Sequence, residues 1–175
     1  MKSAPELQRV VTQLALAHGV PLDRPGAYLR LEQAGHGQLV IEHIGGDRIS
    51  VTNYIEIGGD LMADPQVVLY TAYRPATASS KPVEPSWVPI ESTDFFHGWR
   101  LFAELDFQGE LLLHDAASQV ELAEFCDTVV AKNLISHGWL ENTQRRNTLL
   151  RPWSEEEIRA RDIRIDEIAD AGEET

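Results

Sequence analysis

The stretch Asn53-Tyr54-Ile55-Glu56-Ile57-Gly58-Gly59-Asp60-Leu61-Met62-Ala63-Asp64-Pro65 separates two segments in which apolar and polar residues alternate. Alternation with a period of two is typical of β-strands, because successive side chains point to opposite faces of a sheet. Consecutive glycines readily take the positive φ angles that a tight turn requires. The stretch therefore predicts the end of one strand, a short connection and the start of the next.

Further alternating segments lie on both sides of this stretch, and the first four predicted strands, joined by short links, indicate an antiparallel meander. The short connections, such as Gly45-Gly46-Asp47, favour antiparallel pairing. Pro89 has no N–H to donate to an interior ladder, so the segment that contains it is predicted to be a short edge strand. The predicted strands are Ala27–Gln33, Leu39–Ile44, Ile49–Ile57, Gln66–Tyr73, Trp87–Ile90, Trp99–Phe107 and Glu110–His114.

Two segments, Ser3–His18 and Ser118–His137, have the apolar spacing of amphipathic helices. Each begins with a serine followed three residues later by a glutamate, which is the spacing of a capping box. A helix with one apolar face needs an apolar surface to cover, and the sheet offers one. We therefore predict an α+β fold with a mainly antiparallel sheet of five to seven strands and both helices packed on one face.

The length of 175 residues suits one domain, which we assign to residues 1–150. Residues 151–175 contain nine acidic and four basic residues and are predicted to form an acidic helical appendage from Ser154, with a disordered end. The segment Arg74–Glu84 is rich in Pro, Ala, Ser and Thr, which predicts a loop.

A formal net charge of −13 argues against direct binding of a nucleic acid, because phosphates are bound through Lys and Arg. It favours a protein partner with a basic surface. The only cysteine, Cys126, excludes an internal disulfide and is expected to be a buried structural thiol. No apolar segment has the length of a signal peptide core or a membrane span, so we expect a cytoplasmic protein without membrane association.

The carboxylates of the central stretch suggest two interpretations. Asp60 and Asp64, helped by His43, Asp47 or Glu56, could hold a hard cation, which prefers oxygen ligands. The spacing matches no calcium-binding loop, however, and both aspartates are equally typical of turns. The interpretation as turn residues is favoured, and His43, on the same predicted strand face as Leu39 and Ile41, is expected to be a buried, hydrogen-bonded side chain.

Other candidate catalytic residues do not form a recognisable set. His97 and the pair His114-Asp115 have the chemistry of a general base and its orienting group. No serine or cysteine lies in a nucleophile motif, and Ser92-Thr93-Asp94 is as typical of a turn. Neither Gly-Gly-Asp segment is followed by the lysine of a phosphate-binding loop. The sequence therefore predicts no cofactor and favours a non-enzymatic role.

The segment Gly58-Gly59-Asp60-Leu61-Met62, followed by Ala63-Asp64-Pro65-Gln66, resembles a motif of a family of uncharacterised bacterial proteins often carried on plasmids and integrative elements. The family also resembles this chain in its late helix, at Phe125, Asn133-Leu134 and Gly138-Trp139. The resemblance covers Leu7 to Trp139. A histidine of the family's strand is replaced here by Asn53, and an asparagine by Gly58. The resemblance implies a fold and a genomic setting, but no activity.

These observations favour a non-enzymatic accessory or protein-interaction protein of a mobile element. The alternatives are a metal-assisted hydrolase centred on Asp60 and Asp64, and an acidic mimic of nucleic acid that inhibits a defence or replication protein. We expect a protein partner, and a homodimer is a further option. The residues predicted to form the motif or binding site are Tyr54, Glu56, Gly58, Gly59, Asp60, Asp64 and Pro65.

Overall fold

A computed structural model describes residues 1–74 and 85–141, together with the backbone of residues 144–147. The predicted loop Arg74–Glu84, except for Arg74, and the predicted acidic helix after residue 150 lie outside these described residues. The elements in chain order are α1 (Pro5–Ala17), β1 (Tyr28–Gln33), β2 (Gly37–Gly45), β3 (Arg48–Ile57), β4 (Asp60–Tyr73), β5 (Ser86–Asp94), β6 (Gly98–Leu101), β7 (Ala103–Leu105), β8 (Leu111–Leu113), α2 (Ala116–Phe125), a π-helical turn (Cys126–Val130), α3 (Ala131–Ser136) and β9 (Gln144–Asn147).

The main sheet is antiparallel, and its strand order is β6-β5-β4-β3-β2-β1-β9. Strands β1 to β4 form the meander that the short connections predict, and β5 and β6 extend it in the order of the sequence. The predicted α+β fold is confirmed. No helix among the described residues has both the length and the apolar character needed to cross a bilayer.

Both helical segments pack on the same face of this sheet. The apolar face of α1 is fully buried, as its spacing predicts. It meets the inward side chains of β1 to β4 and of the second helical segment in one continuous core, which also contains Cys126 and Trp139. Burial raises the pKa of the Cys126 thiol to about 12, so this side chain is an unreactive core residue, as predicted.

The opposite face of the sheet is partly covered by a separate two-stranded hairpin of β7 and β8. The sequence predicts one strand over Trp99–Phe107, but the chain leaves the main sheet at Phe102. The N–H of Phe102 donates to Ile90 in β5, whereas its carbonyl accepts from His114 after β8. The prediction of a single strand is therefore wrong. Apolar and polar residues continue to alternate through Phe102, although the hydrogen-bond partners of the chain change at that residue.

The strand that contains Pro89 is not at the edge. β5 spans Ser86–Asp94 and lies between β4 and β6. The edge assignment is wrong because the register of β4 and β5 shifts where Pro89 opposes Leu69, which accommodates a residue without an N–H.

Neither predicted capping box forms. α2 begins one turn earlier than predicted, and Asp115 accepts from the N–H groups of Ala117 and Ser118 at 3.0 and 3.1 Å. α1 begins after Ala4, which has no capping side chain, and Asp127 of the π-helical turn accepts from the N–H groups at the helix start. Both distances, from Asp127 Oδ1 to the nitrogens of Glu6 and Leu7, are 3.0 Å.

We expect Asp127→Ala to lower the free energy of unfolding by about 1–2 kcal/mol, the usual effect of losing a helix cap. Asp127→Asn should retain most of the stability, because an amide oxygen also accepts at helix starts. Urea denaturation followed by circular dichroism measures both.

Glu124→Ala is the matched control on the same helical segment. Glu124 forms an exposed ion pair with Lys2, and such pairs contribute about 0–1 kcal/mol. Equal destabilisation by Asp127→Ala and Glu124→Ala would contradict the assigned role of Asp127.

Candidate functional site

The central glycines form a two-residue turn between β3 and β4. Gly58 and Gly59 have φ angles of 63° and 93°, and Ile57 pairs with Asp60 across the turn. Two positive φ angles in succession are what a tight hairpin of this kind requires, and glycine takes them without strain. The predicted strand–turn–strand is confirmed, but β4 begins at Asp60, six residues before the predicted start at Gln66.

The hairpin extends beyond its neighbours in the sheet. β2 pairs with β3 only as far as Tyr54, and β5 pairs with β4 only from Gln66 onwards. Residues 55–64, which we call the glycine hairpin, are therefore a two-stranded arm. Ile57 and Leu61 on this arm are 44% and 52% exposed.

The base of the glycine hairpin is fixed by Asp64. Its backbone carbonyl accepts from the side-chain amide of Asn53 at 3.2 Å, and its carboxylate accepts from the N–H of Phe95 at 3.3 Å. The bond between Asp64 and Pro65 is cis and lies within β4. The prediction that Asp64 starts a turn is therefore wrong, because it lies in a strand and links that strand to the loop after β5.

The structure does not bring the proposed metal ligands together. His43 pairs with Ile49, whereas Asp60 pairs with Ile57, so the two positions are about 26 Å apart along β3. Within residues 1–74 and 85–141, no group of three or more His, Cys, Asp and Glu side chains is placed to hold a metal ion. Asp47 lies in the turn after β2, and Glu56 is exposed on the glycine hairpin.

His43 is buried, as its position in the strand predicts. Its Nδ1 accepts from the N–H of Gly45 at 3.3 Å. Burial lowers the pKa of His43, against a smaller opposing effect of Asp47. The side chain is thus a neutral, hydrogen-bonded core histidine at the far end of the sheet from the glycine hairpin.

A cleft of about 390 Å³ opens where the base of the glycine hairpin meets the start of α2. This volume is within the range of about 300–1,000 Å³ that is usual for binding pockets. The sheet contributes residues from β4, β5 and β6, and the helix closes the other side. The cleft is lined by Asp64, Pro65, Ser92, Asp94, Phe96, His97, Arg100, Phe102, Ser118, Glu121, Leu122 and Phe125.

Asp94 organises the rim of the cleft. Its Oδ1 accepts from the N–H groups of Phe96 and His97, at 2.9 and 2.8 Å, and from Nδ1 of the His97 ring at 2.9 Å. Nη2 of Arg100 lies 3.6 Å from the other carboxylate oxygen. Burial alone would raise the pKa of Asp94, but the bonds from His97 and Phe96 outweigh it and lower the pKa. The loop between β5 and β6 is therefore built around an ionised carboxylate.

The floor of the cleft contains a buried hydroxyl. Ser92 is 4% exposed, and among the described residues its Oγ has no hydrogen-bond partner. On the helix side, Ser118 Oγ donates to Asp115 at 2.6 Å, so this hydroxyl serves the helix start. The predicted pair of His114 and Asp115 does not form, because His114 Nε2 lies 3.2 Å from Glu104 and Asp115 caps α2.

The sequence indicated Asp64 and Pro65 as motif residues and His97 as a candidate base. It did not indicate that they share one cleft with Ser92, Asp94, Arg100 and Glu121. Ser92 and Asp94 alternate on one strand face, and Ser92 opposes Arg100 across β5 and β6. The alternation was visible in the sequence, but the pairing of the two strands was not. Of the predicted motif residues, Asp64 and Pro65 lie in the cleft, whereas Gly58, Gly59 and Asp60 lie at the tip of the hairpin.

The described residues thus form an antiparallel α+β domain with a lateral cleft and an extended hairpin. Residues 8–91 match the model of DUF6908, a domain of unknown function. No curated protein and no solved structure matches the chain. The matched residues include the glycine hairpin and end at Glu91, next to Ser92. The match therefore does not extend to the loop after β5 or to the late helix, although the resemblance seen in the sequence covers residues as far as Trp139.

We expect Asp94→Ala to lower the free energy of unfolding at pH 7 by about 1 kcal/mol, as for other carboxylates that accept backbone N–H groups. The folded pKa of Asp94 is below its ordinary value of 3.8, so the ionised form is preferred in the folded state. Its contribution is complete above pH 3.8 and is lost as the pH falls through the lower folded pKa. Urea denaturation between pH 7 and pH 3 should show the difference between the two proteins shrinking.

Asp94→Asn is the control that keeps an acceptor oxygen and removes only the charge. It should lie between the wild type and Asp94→Ala at pH 7. A destabilisation by Asp94→Ala that stays constant down to pH 3 would contradict a role for the ionised carboxylate.

Proposed function

We propose that this protein is a protein-interaction module that binds an extended segment of a partner along β6. The observation that carries the proposal is the outer edge of β6. Only β5 pairs with β6 among the described strands, so one side of β6 offers backbone groups to a further strand. Strand addition at such an edge is a common way in which domains bind peptides.

The hydrogen-bond pattern identifies the groups on the outer edge. Phe102 donates its N–H to Ile90, so residues 102, 100 and 98 form the bonded positions toward β5. Because N–H and C=O groups alternate in direction along a strand, those of Trp99 and Leu101 point away from β5. They are the donors and acceptors that an added strand would use.

Exposed aromatic side chains surround this edge. Phe96, Trp99 and Phe95 are 85%, 61% and 49% exposed. Large aromatic residues supply much of the binding energy in protein interfaces, because they bury a large area with few rotatable bonds. Trp99 lies on β6, and Phe95 and Phe96 lie in the loop that leads into it, so their proximity supports a contact surface at this place.

Charge supports a basic partner. Among the described residues that line the cleft beside β6, three are carboxylates, Asp64, Asp94 and Glu121, and one is a guanidinium, Arg100. The whole chain has a formal net charge of −13. A basic partner segment would be attracted to this edge, and an acidic one would be repelled.

We further propose that this interaction module is an accessory protein of a bacterial mobile element. This part of the proposal rests on the resemblance of the sequence motif around Gly58-Gly59-Asp60.

A selection from a displayed library of random peptides of about twelve residues tests the binding mode. We expect the wild type to enrich basic, strand-forming peptides, and Leu101→Pro to lose their binding by at least about tenfold. Proline removes the outward N–H and leaves the bonds to β5 intact, which edge positions tolerate.

Leu101→Ala is the matched control, because it shortens the same side chain and keeps the N–H. Circular dichroism and thermal melting establish that both variants are folded. Peptides that bind Leu101→Pro and the wild type equally, or a library that yields no enriched peptide, would contradict strand addition at β6.

A further inference from the structure

Among the described residues, the hydroxyl of Ser92 in the floor of the cleft has no hydrogen-bond partner. Its neighbours across the strands are Val67 in β4 and Arg100 in β6, and all three positions belong to the face of the sheet that the helices cover. A buried hydroxyl without a partner is unfavourable, because it has lost its bonds to water. A ligand that offers a hydrogen-bond donor at this point would therefore supply a contact that the residues described by the structure do not make.

The charges around the cleft favour a cation. Asp94 is occupied by the His97 ring and two backbone N–H groups, and Arg100 lies beside it. Asp64 and Glu121 remain on opposite sides of the cleft, one at the base of the glycine hairpin and one on α2. Glu121 has no ion pair among the described residues, and its side chain is exposed. An excess of negative charge remains for a positively charged group to neutralise.

The walls suit a cation on an aliphatic stem. Phe96, Phe102 and Phe125 line the cleft, and aromatic faces attract ammonium and guanidinium groups. The guanidinium of Arg100 already lies 5.4 Å from the centre of the Phe102 ring. The apolar walls would also pack against the methylene groups of a lysine or arginine side chain.

The position of Gly98 connects the cleft to the edge strand. Gly98 and Arg100 are the positions of β6 on the cleft side, because they oppose Asp94 and Ser92 in β5. A partner residue opposite Arg100 would meet a like charge, which disfavours a basic side chain there. A Cβ added to Gly98 would meet no atom within 4 Å, so a side chain arriving at this end of β6 can pass over the glycine toward Asp94 and Asp64.

We propose that the cleft binds the side chain of a lysine or arginine of the partner, located at the Gly98 end of the segment added to β6. The cationic head lies between Asp64 and Glu121 and donates to Ser92 Oγ, and the stem packs on Phe96. This inference deepens the proposed function and rests on it for the identity of the occupant. The cleft thereby selects partner segments that carry a basic residue at one position.

A blocked single residue, N-acetyl-arginine methylamide, tests the cleft without requiring strand addition. In ¹⁵N-labelled full-length protein, titration should shift the backbone amide resonances of Ser92, Phe96 and Glu121. The norleucine and glutamate analogues should produce smaller shifts. Glu121→Gln should weaken binding about three- to fivefold. Glu124→Gln is the matched control, because Glu124 lies one turn along α2, pairs with Lys2 and does not line the cleft, so it should leave binding unchanged. Equal effects of the two substitutions, or tighter binding of the glutamate analogue, would overturn the proposal.

Ser92→Ala provides a readout that a purely structural serine would not give. Removing an unpartnered buried hydroxyl should leave the melting temperature unchanged or raise it, while affinity for the arginine analogue falls. A lower melting temperature together with unchanged affinity would show that Ser92 serves the fold and would overturn its assigned role.

Peptides from the library selection separate this inference from the proposed function. Replacing the basic residue with citrulline or norleucine should weaken binding to the wild type and have little effect in Glu121→Gln. Peptides whose binding is lost in Leu101→Pro but does not require a basic residue would support strand addition at β6 and overturn the assignment of the cleft. Binding of the arginine analogue without any β6-dependent peptide would contradict the proposed function alone. If free butylguanidinium binds as tightly as the peptides, the occupant is a small cation and the assignment to a partner side chain is wrong.

Discussion

The carboxylate of Asp127 joins the two helical segments, because it supplies the cap that the start of α1 needs. α1 covers the centre of the sheet with side chains that are fully buried, yet its first turn has no capping side chain of its own. N–H groups at a helix start that face a protein interior need an acceptor. Asp127 supplies one oxygen to Glu6 and Leu7, and it does so from a π-helical turn. Such turns widen a helix locally and often lie where a side chain has a specific task.

A buried amide completes this junction. Gln119 is fully buried and exchanges hydrogen bonds with the backbone of Lys2, at 2.9 and 2.8 Å, and its Nε2 also donates to the carbonyl of Pro89. Ala4 donates its N–H to Trp87. The N-terminal segment, α2 and β5 are thus connected within a few residues of one another. Ser118 and Glu121 lie close to Gln119 on α2, and Ser92 lies three residues after Pro89 on β5, so the cleft borders this junction.

The change of sheet at Phe102 has two consequences for function. The chain after Phe102 forms the β7–β8 hairpin, which covers Val88 and Ile90 on the second face of the main sheet. Because that chain does not continue alongside β5, β6 remains a strand of four residues at the sheet edge. Proteins usually keep exposed edges short or charged to prevent unwanted pairing. Here the edge is short but aromatic, and it borders a cleft with an acidic rim.

The sequence by itself determined the elements whose signals are local. Alternation and the glycine pairs defined the meander and the tight turn at Gly58-Gly59, and the 3.6-residue period identified the buried face of α1, since these patterns follow from backbone geometry alone. In the second helical segment the period holds less well, because a π-helical turn interrupts it and Val129 is exposed. Only the tertiary structure decided which aspartate caps α1, where the chain leaves the main sheet, and that Asp64, Ser92, Arg100 and Glu121 share a cleft. Each of these depends on contacts between residues far apart in the chain, and neither the period nor the identity of a residue specifies its distant partner.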